Sequence, residues 1–201
     1  MNQRTTSSLR AFCLAALFAG TACGGAGAGG GGAGVNSAGD AQRAYEGLDA
    51  SIDKAIKLGF DGFNAASSAN IPPQTAKGTA TGTMTVGGQV DQGNSSNKTM
   101  NLTETLAMYS DDAKLTYDSV SAATLGMKLS KIPTGTMAGT LAGSFKMSGD
   151  LAGTVTLNLS FSGEIEPVPG NTSQVQRKPG TTHVTGSAQS EFGTYTVDLT
   201  R

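Results

Sequence analysis

GTMAGTLAGSFKMSGDLAGTVTLNLSFSGEI, the stretch from Gly135 to Ile165, has its large apolar side chains on alternate positions. A period of two is the pattern of β-strands with one buried face and one wet face. The large apolar residues occupy odd positions: Met137, Leu141, Phe145, Met147, Leu151, Val155, Leu157, Leu159, Phe161 and Ile165. The stretch is therefore predicted to form a β-hairpin whose odd-numbered side chains are buried.

The turn of this hairpin is expected at Ser148-Gly149-Asp150, where turn-forming residues cluster. Directly paired residues share a face, so two arms that both bury odd positions need a loop with an odd number of residues, or a bulge. A three-residue loop would place Leu141 opposite Leu157. Burying the apolar side chains of the hairpin gains roughly 15 to 30 kcal/mol, which is less than the cost of ordering its backbone at about 1 to 2 kcal/mol per residue. The rest of the chain must therefore add strands and a cover for the apolar face.

The beginning of the chain carries a targeting signal. Residues Met1 to Ala22 read as a signal peptide, because positive charge precedes a short apolar core that is too brief to span a membrane as a helix. The following motif, Gly20-Thr21-Ala22-Cys23, resembles the cleavage and acylation site of bacterial lipoproteins, which implies that Cys23 becomes a lipidated, palmitate-bearing N-terminus. Gly20 departs from that pattern, where leucine or a similar residue is usual, and ordinary secretion is the alternative. Cys13 lies in the segment to be removed, so no disulfide is expected.

A tether follows the cysteine. The segment Gly24 to Gly34 contains only glycine and alanine, a composition typical of a flexible linker. The linker as a whole has an expected r.m.s. reach of roughly 20 to 24 Å. By the resemblance to lipoproteins, the absence of an acidic residue at Gly24 and Gly25 implies delivery to the outer membrane. The expected location is the cell envelope, on either its periplasmic or its surface face.

Residues Asp40 to Leu58 are predicted to form an amphipathic helix. Apolar residues recur there at three- and four-residue spacing: Ala41, Ala44, Tyr45, Leu48, Ile52, Ala55 and Ile56. Ser37 or Asp40 can cap its start, and Gly59 can end it. The helix could lie on a membrane beside the anchor, but its polar face mixes both signs of charge, which favours packing against the sheet.

Downstream of Pro72-Pro73 the pattern becomes that of strands and turns. Glu104 falls on the apolar side of its strand and is expected near a rim or an open edge, where it reaches water. Residues 166 to 180, which include Arg177, are interpreted as a long, loose loop. The last hairpin pairs Val184, Gly186 and Ala188 with Tyr195, Val197 and Leu199 through a turn at 190 to 193. Apart from the central and the last hairpin, strands are predicted near 78–90, 100–108, 115–120 and 125–129.

These elements define a fold class. The prediction is a mainly β protein, an antiparallel meander of about eight strands that forms a barrel or a strongly curved sheet, with one N-terminal amphipathic helix packed on it. Glycines on the buried face favour curvature. The expected organisation is a signal peptide over 1–22, a lipidated cysteine and tether over 23–39, and a single β-rich domain with its N-terminal helix over 40–201.

The sequence contains few residues suited to chemistry. The only histidine, His183, lies on the wet face of its strand, so a catalytic triad or a multi-histidine metal site lacks its components. The aspartates lie in or near turns without the spacing of a calcium loop. With 14 basic and 15 acidic side chains, the chain has no electrostatic basis for nucleic-acid binding. We expect no catalytic residues, no metal site, no cofactor and no nucleic-acid partner.

Two functions remain open. The first is a non-catalytic binding or scaffolding module, anchored to the membrane by its lipid, that contacts another envelope component through its threonine-rich outer face or its rim loops. The second is a carrier of a lipid or other apolar ligand between the helix and the curved sheet, an arrangement similar to periplasmic lipid carriers in architecture only. The carrier hypothesis predicts a cavity on the order of several hundred cubic ångströms. Its lining would be Met84, Met108, Met127, Leu141, Met147 and Leu157.

Overall fold

A computed structural model describes residues 32–91 and 93–201. The expected signal peptide, Cys23 and the tether up to residue 31 lie outside the described residues. The described helices are α1 (Ala38–Glu46) and α2 (Asp49–Ala65). The described strands are β1 (Asn70–Lys77), β2 (Thr81–Val90), β3 (Lys98–Ser110), β4 (Leu115–Ser119), β5 (Ala123–Ser130), β6 (Thr136–Gly149), β7 (Gly153–Val168), β8 (Asn171–Arg177), β9 (His183–Ser190) and β10 (Gly193–Thr200).

The strands form one antiparallel sheet in the order β1-β2-β3-β4-β6-β7-β9-β10. Strand β5 also lies between β3 and β6, and β8 pairs with β7. The sheet begins at β1 and ends at β10, and the helices lie across it, with α2 packing on β1, β2, β3 and β8 and α1 on β10. The prediction of a mainly β, antiparallel, curved sheet carrying an N-terminal helical segment is confirmed. The described part has ten strands instead of about eight, because β1 and β8 add to the predicted set.

The helical segment is longer than predicted and is interrupted at Gly47 and Leu48. The hydroxyl of Tyr117 donates a hydrogen bond of 2.8 Å to the carbonyl oxygen of Ala44. In a continuous helix that carbonyl would accept from Leu48, whose N–H instead donates to Tyr45 O at 2.8 Å. A Cβ at Gly47 would lie 2.3 Å from the Tyr117 hydroxyl oxygen. A buried tyrosine from the sheet thus occupies the site of the break, and only glycine leaves room for it.

Ser37, one of the two predicted caps, is confirmed, but the helical segment starts at Ala38 instead of Asp40, and its predicted end at Gly59 is wrong. Ser37 caps α1 by accepting a hydrogen bond of 3.1 Å from the N–H of Asp40. At the other end α2 continues to Ala65, with Gly59 inside the helix. A Cβ at Gly59 would lie 3.0 Å from the sulfur of Met100. Gly59 therefore permits the close approach of α2 to the sheet instead of ending the helix.

The central hairpin has the predicted faces but a different register. All ten odd-numbered apolar residues are buried, each with at most 3% of its surface exposed. Leu141 pairs with Leu159, not with Leu157, and Met147 pairs with Gly153. The loop beyond Met147 therefore has five residues, an odd number as the parity argument requires, but not the predicted three. Leu151 lies inside this loop and forms a bridge with Ala33.

The domain begins before the predicted boundary at residue 40. Val35, which the sequence places in the tether, has only 1% of its surface exposed and belongs to the hydrophobic core.

The prediction of a loose loop over 166–180 is wrong in its first part, because β7 runs to Val168 and β8 pairs with it. The last hairpin is confirmed, with Val184 opposite Leu199 and Ala188 opposite Tyr195.

Candidate functional site

A groove runs along the outer face and rim of the sheet, on the side of the strands that faces away from the helices. Three cavities of about 320, 570 and 560 Å³ form it. The first two share Lys128 and Ala138, and the last two share Thr136. We call this continuous feature the rim groove. Its polar lining consists of Thr99, Asn101, Lys128, Ser130, Lys131, Thr134, Thr136, Thr140, Ser162, Glu164, Glu166, Lys178, Thr181 and His183.

The groove is formed by residues that lie directly opposite one another on neighbouring strands. Thr99 pairs with Lys128 across β3 and β5, Lys128 pairs with Ala138 across β5 and β6, and Ala138 pairs with Ser162 across β6 and β7. His183 on β9 completes the row by pairing with Ser162. In antiparallel sheets directly opposite residues share a face, so the row presents hydroxyl, amine and imidazole groups side by side. The small side chain of Ala138 leaves the depression in the middle of the row.

The rim groove holds three lysines and the two carboxylates Glu164 and Glu166, and two of these lysines have no internal partner among the described residues. Within residues 32–91 and 93–201, the ammonium groups of Lys128 and Lys131 form no hydrogen bond or ion pair. The Lys178 ammonium lies 2.6 Å from a carboxylate oxygen of Glu164, and that hydrogen bond raises the pKa of Lys178 above its ordinary value. The His183 ring nitrogen lies 2.9 Å from a carboxylate oxygen of Asp198. Lys128 and Lys131 are thus available to an anionic group of a ligand.

The residues predicted to line an apolar cavity are mostly packed in the core. Met84, Met127, Leu141, Met147 and Leu157 each have at most 2% of their surface exposed. Met108 is different, since 58% of its surface is exposed, and its assignment to an interior lining is wrong. Its backbone has φ of 48° beside a register shift between β2 and β3, which reverses the alternation of faces. Of these six residues, only Met127 lines any of the five described cavities, and that cavity belongs to the outer face.

Arg177 joins β8 to α2 through a buried ion-pair network that the sequence did not reveal. Its guanidinium lies 2.8 Å from carboxylate oxygens of both Asp49 and Asp53, and it also donates to the carbonyl oxygen of Asp49. Burial raises the pKa of Asp49, but the hydrogen bonds and charge of Arg177 outweigh it and hold that pKa below its ordinary value. Tyr45 donates to the same carboxylate at 2.5 Å. These bonds satisfy the guanidinium, so the network is structural.

Glu104 lies between α2 and the sheet and is not near water. It has 1% of its surface exposed, and its Oε2 atom has no hydrogen-bond partner among the described residues. The expectation of a rim position is therefore wrong. Burial raises the pKa of Glu104 to about 7, and the neighbouring Ser51 hydroxyl partly opposes this. No hydrogen bond of normal geometry links the two groups, since the Ser51 hydroxyl oxygen is also without a partner in the described part.

Within the described ranges, no cluster of three or more His, Cys, Asp or Glu side chains is arranged to hold a metal ion. Among the same residues, neither helix has the length and apolar character needed to cross a membrane.

Comparisons with protein-family models, with curated proteins and with solved structures found no match to this chain. The candidate site therefore depends on the geometry and chemistry of its own residues.

Proposed function

We propose that this chain is a lipid-anchored protein of the cell envelope that binds or scaffolds another envelope component through the rim groove, without catalysis. One observation carries the proposal. Three adjoining cavities on the outer rim share lining residues and present hydroxyl, amide and ammonium groups in one continuous groove. A long, open groove with polar groups along its length suits an extended ligand that is held by several hydrogen bonds, whereas small-molecule sites are mostly enclosed.

The groove also has features of a preformed surface. Its floor lies on paired strands β3, β5, β6, β7 and β9, which fix the spacing of the side chains. Sites built on paired strands hold their groups more rigidly than sites built on loops. A ligand that meets an ordered array loses less free energy to the ordering of side chains.

Photo-cross-linking in intact cells tests the groove. A photoreactive residue at Ala138, which two of the cavities share, is expected to give adducts with an envelope component. The matched control is Thr75 on β1, which is exposed and paired with Thr85 outside the groove. Equal adduct formation at both positions would contradict a binding role for the groove.

The anchor needs a separate test, because Cys23 lies outside the described residues. Mass spectrometry of the membrane fraction is expected to show an acylated N-terminal peptide beginning at Cys23, and Cys23→Ala should remove the chain from that fraction. An unmodified N-terminus downstream of Cys23 would refute lipidation. Native mass spectrometry of the purified chain tests the carrier alternative, which gains no support from the linings of the described cavities.

A further inference from the structure

Glu104 and Ser51 are neighbouring polar residues in the contact between α2 and the sheet, and we call them the buried pair. Glu104 lies between Val86 of β2 and Ala123 of β5, and both of these flanking residues are fully buried. Neither Oε2 of Glu104 nor the hydroxyl oxygen of Ser51 has a hydrogen-bond partner in the described part of the chain. A carboxyl group in such surroundings is costly to ionise.

The charged side chains of α2 do not compensate a charge on Glu104, because each of them has another partner. The ion pairs are those of Asp49 and Asp53 with Arg177 of β8, of Lys54 with Asp111 beyond the end of β3, and of Lys57 with Asp61 inside the helix. All five charged residues of α2 are exposed or half-buried, whereas the buried pair is fully enclosed. The helix is thus held by ion pairs at its margins and covers an unpaired carboxyl group.

The strands around the buried pair supply no counter-charge either. Strand β2 has no titratable side chain, and the one on β5, Lys128, lies on the outer face. On β3 itself, Lys98 lies over the ring of Phe63, and the Tyr109 hydroxyl donates to Asp111 at 2.5 Å. Burial above all, and then the charges of Asp111 and Glu104, raise the pKa of Tyr109, so this side chain stays neutral while a carboxyl group titrates.

The helix above Glu104 is joined to the rest of the fold by two irregular stretches. Gly47 and Leu48 interrupt the helical segment before α2, and residues 66–69 connect its end to β1. Backbone hydrogen bonds join the strands to one another, whereas α2 is held on the sheet through its side chains. A movement of α2 about these two stretches would therefore leave the strand pairing intact.

We propose that the buried pair is a pH-sensitive switch, at which α2 stays closed on the sheet while Glu104 is protonated and opens as a unit, about residues 47–48 and 66–69, once Glu104 is ionised. Opening gives the carboxylate access to water, which it lacks in the closed state. It also exposes Ile52 and Ile56, whose burial keeps the open state rare at low pH. This inference depends on neither the rim groove nor the lipid anchor.

The direction of the effect follows from proton linkage. In the closed state burial raises the pKa of Glu104 from 4.5 to about 7, and in the open state the carboxyl group is hydrated and returns toward its ordinary value. The open state therefore binds fewer protons, and rising pH favours it. The equilibrium constant for opening should rise between about pH 4.5 and pH 7 and level off above that range.

Hydrogen exchange of the mature chain, followed by mass spectrometry from pH 5 to pH 8 and corrected for the intrinsic exchange rate, tests the switch. The protection of amides in α2 should fall by about tenfold or more across this range. At pH 8 their protection should be about tenfold or more below that of the slowest amides of β6 and β7. It should also depend less on urea, because opening α2 exposes less surface than unfolding the sheet.

Three variants assign the effect to the buried pair. Glu104→Gln cannot ionise and should remove the pH dependence of protection in α2. Ser51→Ala removes the hydroxyl that partly opposes the raised pKa of Glu104, so the levelling-off should move to higher pH, which a merely structural role of Ser51 would not cause. His183→Gln is the control, because it changes the one histidine of the chain, a residue type that ordinarily titrates in this range, and it should leave the profile unchanged.

Several outcomes would overturn the switch. Equal protection and equal urea dependence in α2 and in β6 and β7 would mean that α2 exchanges only when the whole domain unfolds. A pH-independent protection of α2, or a pH dependence that persists in Glu104→Gln, would exclude Glu104 as the group responsible. Should Glu104→Gln fail to fold, an unshifted profile in Ser51→Ala would still contradict the role of the buried pair.

Discussion

At the scale of single residues, Glu104 makes the stability of the domain depend on pH. Its pKa is raised by burial from an ordinary value of 4.5 to about 7. For a group whose pKa is higher in the folded state, its favourable contribution is fully present below about pH 4.5 and is lost as pH rises to about 7. Above pH 7, the buried charge should lower the free energy of unfolding by about 3 kcal/mol.

Glu104→Gln removes this titration while keeping a similar shape. We expect the variant to be more stable than the parent at pH 8 and no more stable at pH 4.5, as measured by urea unfolding across that range. Glu164→Gln, at an exposed position that faces Lys178, is the control and should not reproduce the change between the two pH values. If the stability profiles of the parent and Glu104→Gln run parallel, Glu104 does not titrate in this range.

Arg177 stabilises the domain through its ion pairs with two carboxylates. Arg177→Met keeps much of the side-chain volume but leaves Asp49 and Asp53 without their cation, and removing one partner of a buried ion pair typically costs roughly 3 to 5 kcal/mol. We expect a loss toward the lower end, because Asp53 is partly exposed. Chemical denaturation measures it. Lys178→Met, which removes a solvent-exposed ion pair with Glu164, should change the stability little, and a similar loss in both variants would contradict a special role for Arg177.

At the scale of elements, we expect a glycine-to-alanine substitution at Gly47 to lower the stability of the domain, which is the opposite of its usual effect within a helix. Its backbone is helical, with φ of −67°, so alanine would ordinarily stabilise the segment. Here the new Cβ would meet the Tyr117 hydroxyl oxygen at 2.3 Å and disturb its hydrogen bond to Ala44. We expect Gly47→Ala to destabilise the domain by about 1 to 3 kcal/mol in thermal or chemical unfolding.

Gly39 is the matched control for Gly47. It lies in the first turn of α1, is exposed, and a Cβ there would meet nothing closer than the Ser37 hydroxyl oxygen at 3.8 Å. Gly39→Ala should therefore stabilise the domain slightly, by up to about 1 kcal/mol. If both substitutions shift the stability in the same direction, the contact with Tyr117 does not determine the helix break.

The faces of the strands were predictable, but their register and ends were not. Alternation is a local property, so the buried side of β6 and β7 follows from the sequence alone. The length of the turn depends on Leu151, which bridges to Ala33 more than a hundred positions earlier in a segment that reads as linker. Strand β8, with few apolar residues, is likewise held by Arg177 against α2. Such long-range polar contacts have no periodic signal.

The edges of the sheet show the same dependence on distant contacts. The third and fourth residues of strand β1 are prolines, which lack the N–H groups needed to extend a sheet. The Lys54 ammonium donates to the carbonyl oxygen of Lys77 on β1, and the Gln42 amide donates to that of Asp198 on β10. The helices therefore protect both ends of the sheet as well as its apolar face.

At the scale of the whole molecule, the rim groove depends on strand order. The sequence places Lys128 and Ala138 on wet faces, because they alternate with buried neighbours. It does not indicate that β5 lies between β3 and β6, which brings Thr99, Lys128 and Ala138 into one row. The residues of the groove were therefore predictable as exposed, whereas the groove itself required the fold.

The limits of the domain can be tested by truncation. A mature chain shortened to begin at Gly32 retains residues 32–37, which contact the sheet, and we expect its melting temperature to equal that of the chain beginning at Cys23. A chain that begins at Ser37 loses the buried Val35 and its hydrogen bond from Ser190, worth together about 2 to 4 kcal/mol. For a domain of this size the melting temperature should fall by about 5 to 10 °C. Equal melting temperatures for all three chains would place the boundary at residue 37 or later.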